Sequence, residues 1–453
     1  MKNRRTVLLV NTDEREGGAA QVAVNLLEAY GRLGWTPYLA AGRKATDDPR
    51  VRALTPEAGR GPWSGAWHRA ADKVVGLARA LDRFRGLESF RYPASHRVLD
   101  IPPERPDVVH LHNLHGGYFD LRLLPVLSRR LPVVLTLHDA WMLSGHCAHS
   151  FGCERWESGC GACPDLTIYP AVEKDRTALN WKRKRGIYAR SRLHVATPSA
   201  WLQGMVERSI LRAGTVEMRV IANGVDLSTF HPGGSRGSRE ALGIPPEARV
   251  LLFVASGGAH NEFKDYALLR AAIVRVAAGS GRAPLVFLAL GGDAPPERIE
   301  GGEIRHLPFL DRAEEVARVY RSADAYIHAA RADTFPNTIL EALACGTPVV
   351  ATAVGGIPEQ VRSLRGGPAW GGKATYGDES ATGFLVPPGD DEAFAEGVLR
   401  LLANSELRRR LSENAARDAR ERFDVLDQAR AYISWYESLL AVGPSGVGEE
   451  RRR

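Results

Sequence analysis

The stretch from residue 330 to residue 359, ARADTFPNTILEALACGTPVVATAVGGIPE, decides the fold. It begins where the apolar run AYIHAA (325 to 330) ends, and that run predicts a buried strand. A loop over residues 331 to 336 leads into a helix predicted over residues 337 to 345. The apolar run PVVATAVGG (348 to 356) predicts the next strand. A strand, a loop, a helix and a strand in this order indicate one unit of an open parallel α/β sheet.

Similar apolar runs recur on both sides of this stretch and fall into two groups. They alternate with amphipathic stretches, and this alternation is typical of parallel sheets that are covered by helices on both faces. The first group is TVLLV (6 to 10), DVVHLH (107 to 112), PVVLTLHD (132 to 139) and HVAT (194 to 197), and the second is RVIANGVD (219 to 226), RVLLFVAS (249 to 256), APLVFLALGGD (283 to 293), EIRHLP (303 to 308) and the two runs quoted above.

The two groups predict an α/β protein of two doubly wound, Rossmann-like domains in tandem. We place the first domain over residues 1–205 and the second over residues 206–426, since a Gly-, Ser- and Pro-rich loop at 231–248 follows the restart of the pattern. A helix over about 427–442 is expected to pack back on the first domain, and 443–453 to form a flexible tail. Because such sheets bind ligands beyond the carboxyl ends of their strands, we expect a site in a cleft between the domains.

The composition is that of an ordinary soluble globular protein. Of the 453 residues, 44% are hydrophobic and 25% are charged, which excludes collagenous, coiled-coil and wholly disordered classes. The net charge of +7 favours an anionic ligand or a lipid surface without choosing between them. The apolar run at Val7–Val10 is too short for a signal peptide, and no run approaches the roughly 18 residues that span a bilayer. We therefore expect a cytoplasmic protein, either free or peripheral on the inner face of the cytoplasmic membrane.

The helix predicted from Asn337 has the chemistry of a diphosphate site. The backbone N–H groups of Asn337, Thr338 and Ile339 open this helix, where unpaired donors and the positive end of the helix dipole favour an anion. The carboxylate of Glu341 can accept two hydrogen bonds from the vicinal hydroxyls of a ribose, and Asp333 can do the same for a sugar. Either acid alone is more often an ordinary surface or helix residue. The pair in this context predicts a donor site.

At these residues the sequence resembles the retaining GT-B glycosyltransferases of family 4. The acidic motif of that family is Glu, seven residues and Glu; here Asp333 replaces the first Glu, while Glu341 and ALACGTPVVAT (342 to 352) match the family. The resemblance implies the GT-B fold, in which two Rossmann-like domains face each other across a cleft. It covers nearly the whole chain, through EGGAAQVAVNL (16 to 26), TLHD (136 to 139), TPS (197 to 199), VIANGVD (220 to 226), LALGGD (288 to 293), ATGFLVPPGD (381 to 390) and RERFD (420 to 424).

The resemblance implies roles for Gly18 and Lys264. In the family, the glycine at the position of Gly18 lets the backbone approach the donor phosphates and the attacking acceptor, since any side chain would fill that space. An ordinary strand-to-helix turn is the alternative interpretation of Gly18. Lys264 matches the lysine that neutralises the donor diphosphate as the glycosidic bond breaks.

The surroundings of Lys264 depart from the family pattern. The family commonly has an Arg five residues before this lysine and a Gly directly after it, where this chain has Ala259 and Asp265. We therefore expect diphosphate binding to rest more heavily on Lys264 and on the helix that follows the acidic loop, with His260 or Asn261 as a substitute donor. The alternative for Lys264 is an ordinary solvated lysine.

His138 ends an apolar run, so we expect its ring to face the cleft. The resemblance implies an active-site histidine close to the transferred sugar, which can bond a sugar hydroxyl or stabilise developing charge. For an isolated residue, a hydrogen-bonded histidine at a strand terminus is more common. Asp139 is then either the orienting partner of His138 or a helix N-cap.

Four cysteines crowd the segment HDAWMLSGHCAHSFGCERWESGCGACPDLTIYP (138 to 170), which resembles the colanic-acid and exopolysaccharide subgroup of these transferases. Four thiolates within 17 positions, ending in Cys-x-x-Cys among Gly turns, predict a structural zinc site. Disulfides and free thiols are the alternatives, and a reducing compartment makes disulfides the weaker one. The cysteines are Cys147, Cys153, Cys160 and Cys163, and the alternative ligands are His146 and His149.

The resemblance implies an enzyme that transfers a hexose-type sugar from a nucleotide-diphosphate sugar to a glycan or lipid-linked glycan acceptor, with retention at the anomeric carbon. Exopolysaccharide, capsule or lipopolysaccharide biosynthesis is the implied pathway class. No cofactor or divalent metal is implied for catalysis, in which Lys264 stabilises the departing diphosphate, Asp333 fixes the sugar and His138 lies close by. Alternatives are another GT-B enzyme, such as a phosphorylase or a nucleotide-sugar epimerase, and a non-catalytic carbohydrate-binding protein. A nucleic-acid partner is least favoured, because the cysteine segment lacks a coherent basic helix.

The basic run DRTALNWKRKRGIYARSR (175 to 192) carries seven Lys and Arg residues, which accompany Trp181, Ile187 and Tyr188. One interpretation is a contact with an anionic membrane surface, where basic and interfacial aromatic residues bind together. The other, slightly favoured, is a solvated helix that covers the sheet with Trp181 turned inward. The Arg-rich residues 57–106 are given no role.

Overall fold

The chain forms two compact units, each built around one sheet. Unit 1 comprises Met1–Ala222 and Gln428–Arg453, and unit 2 comprises Asn223–Asp427. The boundary therefore lies at Ala222 instead of the predicted residue 205, because the strand at residues 215 to 220 completes the first sheet. The predicted tail at 443–453 lies outside the described residues. The computed structural model describes residues 4–54, 65–254, 261–281, 283–292, 294–367 and 374–442.

The sheet of unit 1 has seven strands. They are β1 (Thr6–Asp13), β2 (Thr36–Arg43), β3 (Val51–Ala53), β4 (Val108–Leu111), β5 (Val133–Thr136), β6 (Leu193–Thr197) and β7 (Thr215–Val220). Their order is β3-β2-β1-β4-β5-β6-β7, and every neighbouring pair is parallel. Every residue of β4 and β5 is buried, as expected of strands in a sheet that is covered on both faces. The strand order reverses beside β1, which makes the loops after β1 and β4 the natural place for a ligand.

Helices cover this sheet, and their buried residues recur at the helical spacing that the sequence predicts. In α1, for example, the buried residues Val22, Ala23, Leu26 and Leu27 recur three and four positions apart. The helices before residue 222 are α1 (Gly18–Arg32), α2 (Gly65–Phe84), α3 (Leu124–Arg130), α4 (Arg155–Ser158), α5 (Thr177–Tyr188) and α6 (Ala200–Arg208).

The basic run of the sequence contains α5, in which Trp181, Ile187 and Tyr188 are buried while Leu179 is 44% exposed. Trp181 is buried, and its Nε1 donates a hydrogen bond to the backbone oxygen of Trp156 at 2.8 Å. Lys184 is completely buried, and its Nζ lies 2.9 Å from a carboxylate oxygen of Glu88 and 3.7 Å from the ring centroid of Trp141. The structure thus supports the interpretation in which Trp181 turns inward and α5 covers the sheet.

The sheet of unit 2 also has seven strands. They are β8 (Arg249–Val254), β9 (Leu285–Leu290), β10 (Glu297–Ile299), β11 (Gly302–Leu307), β12 (Ala325–His328), β13 (Val349–Thr352) and β14 (Gly383–Val386). Their order is β10-β11-β9-β8-β12-β13-β14, and β10 pairs antiparallel with β11 while the other pairs are parallel.

The unit predicted from residues 330 to 359 is confirmed as β12, a loop, a helix from Asn337 and β13. The predicted fold class, two doubly wound Rossmann-like domains, is also confirmed. No helix in the described ranges is long and apolar enough to cross a bilayer. The helices of unit 2 are α7 (Ser235–Ala241), α8 (Tyr266–Gly279), α9 (Ala313–Ser322), α10 (Asn337–Ala344), α11 (Ile357–Gln360), α12 (Asp391–Ala403) and α13 (Ser405–Arg422).

The last helix, α14 (Val425–Val442), returns to unit 1 from Gln428 onward. Its aromatic residues Tyr432, Trp435 and Tyr436 are completely buried. The indole N–H of Trp435 donates to Glu217 on β7 at 2.7 Å. The helix predicted over about 427–442 therefore belongs to the core of unit 1.

His110 on β4 connects α14 to the centre of the sheet. Its Nδ1 lies 2.7 Å from the hydroxyl of Tyr436, which in turn lies 2.7 Å from the hydroxyl of Tyr30. Its Nε2 lies 2.7 Å from Thr136 Oγ1, which is 2.7 Å from the hydroxyl of Tyr432. Burial lowers the pKa of His110 to about 3, so the ring is neutral at pH 7. Each of these polar groups would be costly to bury without its partners.

We expect Tyr436→Phe to lower the free energy of unfolding by about 1–3 kcal/mol, because it removes the hydroxyl that His110 and Tyr30 share inside the core. Urea unfolding followed by circular dichroism measures the change. Tyr38→Phe, at a half-buried tyrosine on β2, is the matched control and should stay within about 0.5 kcal/mol of wild type. Equal effects of the two substitutions would show that the hydroxyl network contributes no stability.

Candidate active site

Lys264 and Asp333 form a largely buried ion pair in unit 2. Lys264 Nζ lies 2.6 Å from Asp333 Oδ2, and the two side chains are 11% and 19% exposed. The Nε2 of His328, the last residue of β12, lies 3.1 Å from Lys264 Nζ and 3.5 Å from the same carboxylate oxygen. Since an ammonium only donates, Nε2 accepts and Nδ1 carries the proton, which it donates to the hydroxyl of Tyr326 at 2.8 Å. Two residues predicted separately from sequence are thus in direct contact.

The charges of this cluster follow from burial and from Lys264. Burial raises the pKa of Asp333, but the adjacent ammonium of Lys264 outweighs this effect and holds the pKa of that carboxyl well below its usual range. Burial, and then the charge of Lys264, lower the pKa of His328 from 6.5 to about 4. At neutral pH the cluster therefore contains an ammonium, a carboxylate and a neutral imidazole.

Backbone contacts place Lys264 beside the end of β12. Lys264 forms an isolated antiparallel bridge with Ala330. The next residue, Asp265, accepts a hydrogen bond from the N–H of Leu268 at 3.0 Å and so caps α8. The carboxylate of Asp265, which replaces the glycine of the family pattern, therefore has a structural role.

The loop that carries Asp333 is held on two sides. The N–H of Arg331 donates to the backbone oxygen of Phe263 at 2.9 Å. Gly355 has a φ of +56°, and a Cβ at this position would lie 1.8 Å from the backbone oxygen of Asp333. Only glycine fits there, so the backbone after β13 fixes the position of the acidic loop.

Glu341 is partly buried on α10. Its Oε2 accepts a hydrogen bond from the hydroxyl of Tyr320 at 2.9 Å. Burial raises the pKa of Glu341 to about 7. Tyr320 packs edge-on against Tyr326, with ring centroids 5.6 Å apart, and the side chain of Thr338 hydrogen-bonds Tyr326. The side chains of β12 thus connect the ion pair to α10.

The first turn of α10 begins at Asn337, as predicted. The N–H of Ile339 donates to the backbone oxygen of Pro336 at 3.3 Å, so the prediction of an unpaired donor is wrong for Ile339. The side chain of Asn337 accepts a hydrogen bond from Asn223 at 3.1 Å. The predicted binding of a diphosphate by Asn337 and Thr338 stays a prediction.

The substitute donors predicted near Lys264 are His260 and Asn261. Ala259 and His260 lie outside the described residues. The side-chain oxygen of Asn261 accepts a hydrogen bond from the N–H of Phe263 at 3.0 Å, so this oxygen stabilises a local turn. A role of the Asn261 amide as a phosphate donor stays a prediction.

In unit 1, His138 follows β5 and pairs with His112, which follows β4. His138 Nε2 lies 2.9 Å from His112 Nδ1, and the rings stack with centroids 5.2 Å apart at 15°. Burial lowers the pKa of His138 to about 4 and that of His112 well below 6.5, so both rings are neutral at pH 7. The predicted contact of His138 with a sugar stays a prediction.

Asp139 bonds His115 and a backbone turn. Its Oδ2 lies 2.7 Å from His115 Nε2, and its Oδ1 accepts the N–H of Trp141 at 2.9 Å. The second bond closes a turn directly before a short 3-10 helix, but the N-cap of that helix is Ala140, so the interpretation of Asp139 as a helix N-cap is wrong. The orienting interpretation needs a correction, because the histidine hydrogen-bonded to Asp139 is His115 and not His138.

Gly18 is the first residue of α1, so it lies in the helix and not in the loop as predicted. The loop glycine is Gly17, whose φ of +89° favours glycine, while a Cβ there would meet no atom within 4 Å. Backbone conformation, and not space, is therefore the constraint at Gly17. The approach of phosphates to Gly18 stays a prediction.

The four clustered cysteines line one small pocket of unit 1 together with His146. His146 Nε2 lies 3.4 Å from Cys163 Sγ, and its Nδ1 lies 3.2 Å from the backbone oxygen of Pro170. The N–H of Gly145 donates to Cys160 Sγ at 3.3 Å, and burial raises the pKa of this thiol to about 12. The pocket thus places His146 near the thiols. The cysteines concerned are Cys147, Cys153, Cys160 and Cys163.

All five cysteines are free, so the disulfide alternative receives no support. His149 is not among the residues that line the pocket; its Nδ1 accepts the N–H of Phe151 at 3.0 Å, and its ring stacks on Trp201. Among the described residues, no group of three or more His, Cys, Asp or Glu side chains is arranged to hold a metal ion. Cys and His are the residue types that bind zinc, but in the described residues they are not arranged around a common metal position. The zinc site stays a prediction.

The residues of these clusters that were not predicted from the sequence include His112, His328 and Tyr320. His112 closes the apolar run DVVHLH as His138 closes VVLTLH, so the same signal would have found His112. His328 lies inside the run AYIHAA, where that signal is absent. Tyr320 lies on an ordinary amphipathic helix, where no local signal marks it.

Both halves of the chain match known sequence families. Residues 16–229 match the family described as Glycosyltransferase Family 4. Residues 248–404 match the family described as Glycosyl transferases group 1. The two matches fall largely on unit 1 and unit 2 respectively.

Two curated relatives illustrate the similarity. A D-inositol 3-phosphate glycosyltransferase of Saccharomonospora viridis is 32% identical over 238 residues, which are 49% of this chain and 51% of the relative. The chain thus spans about half the length of this relative. The colanic acid biosynthesis glycosyl transferase WcaC of Escherichia coli K12 is 28% identical over 367 residues, which are 76% of this chain and 82% of the relative.

Solved structures share the fold over nearly the whole chain. Sucrose-phosphate synthase of Thermosynechococcus elongatus superposes with a TM-score of 0.62 at 19% identity, covering 97% of this chain and 100% of that structure. HepE of Anabaena, solved with UDP and glucose, superposes with a TM-score of 0.59 at 16% identity, covering 95% and 99%. At such identities the likeness establishes the fold alone.

We expect Lys264→Met to lower the free energy of unfolding by roughly 3–5 kcal/mol, because it leaves the carboxylate of Asp333 buried without its main partner. Adding Asp333→Asn should recover part of this loss, which a double-mutant cycle measures. Lys182→Met, at an exposed lysine of α5, is the control and should stay within about 0.5 kcal/mol of wild type. Additive effects of the two unit 2 substitutions would contradict the ion pair.

We expect about one zinc ion per chain after purification without chelator. Elemental analysis together with titration of free thiols measures it. Cys160→Ser should release the metal, whereas Cys345→Ser, at a buried cysteine of unit 2, should retain it. Metal-free protein with four titratable thiols in the cluster would exclude the zinc site.

Proposed function

Because the chain belongs to glycosyltransferase family 4, we propose that it transfers a hexose-type sugar from a nucleotide-diphosphate sugar to a glycan or lipid-linked glycan acceptor, with retention at the anomeric carbon. Exopolysaccharide, capsule or lipopolysaccharide biosynthesis is the pathway class that we propose. Similarity to a relative named for colanic acid biosynthesis supports this class.

The observation that carries the proposal is the buried cluster of Lys264, Asp333 and His328. A lysine held by short hydrogen bonds in a largely buried position offers a fixed positive charge, which interacts more strongly with a diphosphate than a solvated lysine does. Without a donor, Asp333 neutralises this charge. When the donor binds, Lys264 contacts the diphosphate and the Asp333 carboxylate accepts hydrogen bonds from sugar hydroxyls.

Glu341 has the environment of a ribose ligand that responds to pH. Its carboxylate accepts one hydrogen bond from Tyr320 and has further acceptor capacity for the two ribose hydroxyls. With a pKa of about 7, it is partly protonated at neutral pH, and binding of the hydroxyls favours the ionised form. Donor binding should therefore strengthen as the pH rises.

The proposed reaction breaks the bond between the anomeric carbon and the diphosphate oxygen and forms a bond from that carbon to the acceptor oxygen on the same face. The departing diphosphate oxygen takes the proton of the acceptor hydroxyl. Lys264 and the first turn of α10 stabilise the negative charge that develops on the diphosphate. The proposal assigns this task to protein groups and to no divalent metal.

Two alternatives remain open to the same experiments. A GT-B phosphorylase or nucleotide-sugar epimerase would use the same architecture on a different substrate. A carbohydrate-binding protein without catalysis would bind the glycan and leave the nucleotide sugar intact. A glycosyltransferase releases free nucleoside diphosphate from a nucleotide sugar, by transfer of the sugar or by slow hydrolysis. A binding protein leaves the nucleotide sugar intact, and a phosphorylase or an epimerase is not expected to accumulate this product.

The proposal is tested by incubating the protein with single uridine, guanosine and adenosine diphosphate sugars. We expect one of them to raise the melting temperature and to release its nucleoside diphosphate slowly. Glu341→Gln, which keeps the shape of the side chain, should lower this release at least tenfold, and Glu396→Ala on the exposed face of α12 should not. Asp333→Glu should retain more activity than Asp333→Ala, because it restores the family residue.

The pH dependence of binding provides a second readout. Binding of the active nucleotide sugar should be several-fold tighter at pH 8 than at pH 6 in the wild type, because Glu341 ionises near pH 7. In Glu341→Gln this difference should disappear. No release of nucleotide from any sugar donor, or full activity of Glu341→Gln, would contradict the proposed donor site.

A further inference from the structure

Helix α2 of unit 1 presents large apolar side chains to solvent. Val74 is 68% exposed, Leu77 74%, Leu81 44% and Phe84 59%. They are three, four and three positions apart, so they lie on one face of the helix and form a stripe about 15 Å long. We call these four residues the α2 stripe.

The orientation of α2 is fixed from its other side. Asp82 is buried, and its Oδ2 accepts hydrogen bonds from Ser89 Oγ at 2.9 Å and from Arg91 Nε at 3.1 Å. Its backbone oxygen accepts the N–H of Leu87 at 2.8 Å. The guanidinium of Arg79 lies 5.3 Å from the ring centroid of Tyr92. The contacts of Asp82 and Arg79 therefore fix the orientation of α2, and in this orientation the α2 stripe faces solvent.

Basic residues surround the α2 stripe. Lys73, Arg83 and Arg85 are exposed at its two ends. Lys174 Nζ lies 3.8 Å from the ring centroid of Phe84. Asp82, the acidic residue within positions 73 to 85, is buried and paired, and Asp72 directly precedes Lys73 in the sequence. This surface therefore complements a partner that is both apolar and anionic.

Exposed apolar residues elsewhere in the described part of the chain do not form such a stripe. On α8 of unit 2, for example, Val274 is 55% exposed as a single residue of that kind, and in the loop after β11 Phe309 is 68% exposed. Scattered residues of this kind are normal on soluble proteins, whereas a continuous apolar stripe marks an interaction site.

A second copy of the chain fits this surface poorly. Basic residues lie at both ends of the α2 stripe, so pairing two copies in either direction brings Lys73 or Arg85 close to a basic residue of the other copy. Like charges that meet in an interface oppose association. An anionic lipid surface has no such conflict, because its headgroups pair with the basic residues while its hydrocarbon boundary accepts the apolar ones.

We propose that the α2 stripe inserts into the interfacial layer of an anionic membrane, with Lys73, Arg83, Arg85 and Lys174 bound to lipid phosphates. The inference does not depend on the proposed sugar transfer, because it concerns lipid binding alone. It places the membrane contact on α2, whereas the aromatic residues Trp181 and Tyr188 of the basic run are buried.

The test is sedimentation of the full chain with vesicles of phosphatidylcholine alone and with phosphatidylglycerol added, at low and high salt. We expect the wild type to bind the phosphatidylglycerol vesicles and to be released by salt. The double variant Val74→Glu/Leu77→Glu should bind them at least tenfold more weakly. Val274→Glu is the control for Val74→Glu, since each places one carboxylate at an exposed valine of a helix, and the Val274→Glu variant should bind like the wild type.

Melting temperatures confirm that all variants are folded, and light scattering at several protein concentrations measures self-association. Absence of wild-type binding to phosphatidylglycerol vesicles would overturn the proposal, as would equal binding by the double variant. A dimer that Val74→Glu/Leu77→Glu disrupts would also overturn it, because the stripe would then belong to a contact between copies. Nucleotide release assays are independent of these results, so failure here leaves the proposed transfer reaction untouched.

Discussion

Both units depend on one constraint: a polar group inside a fully buried parallel sheet must find its partner within the protein. In unit 1 this group is His110, whose two ring nitrogens face Tyr436 and Thr136. In unit 2 it is His328, whose ring nitrogens face Lys264 and Tyr326. In each case one partner comes from a segment distant in sequence: Tyr436 for His110 and Lys264 for His328. The buried histidines therefore hold separate segments of the chain in register, in addition to any chemical role.

In unit 2 this constraint also prepares the proposed chemistry. Lys264 does not have to be ordered when a diphosphate arrives, because Asp333 and His328 already position its ammonium group. Gly355 restrains the loop that carries Asp333 by its close approach to the backbone. The donor then exchanges one set of polar contacts for another, with little loss of conformational freedom in the protein.

The sequence predicted the fold well because buried parallel strands are nearly continuous apolar runs, which are visible without any knowledge of tertiary contacts. It misplaced the boundary because β7 is only partly buried, so that its residues look like the start of the next domain. Asp333 and Glu341 were singled out by their positions around the predicted helix, and Lys264 by the resemblance to the family; their roles at a donor site stay predictions. Their direct contacts could not be predicted, since Lys264 and Asp333 are 69 positions apart and only the sheet order brings them together. The inward turn of Trp181 likewise depends on tertiary packing, which periodicity leaves open.

The return of α14 to unit 1 links the order of synthesis to the order of folding. His110 emerges from the ribosome 326 positions before Tyr436, its partner. At roughly 5–20 residues per second, this interval is on the order of tens of seconds. All of Asn223–Asp427 is made within it, so unit 2 can complete its core first. Unit 1 is translated earlier, but until α14 is made its apolar face stays open and its polar groups lack their partners. During that time chaperones can bind this defined surface of the nascent chain.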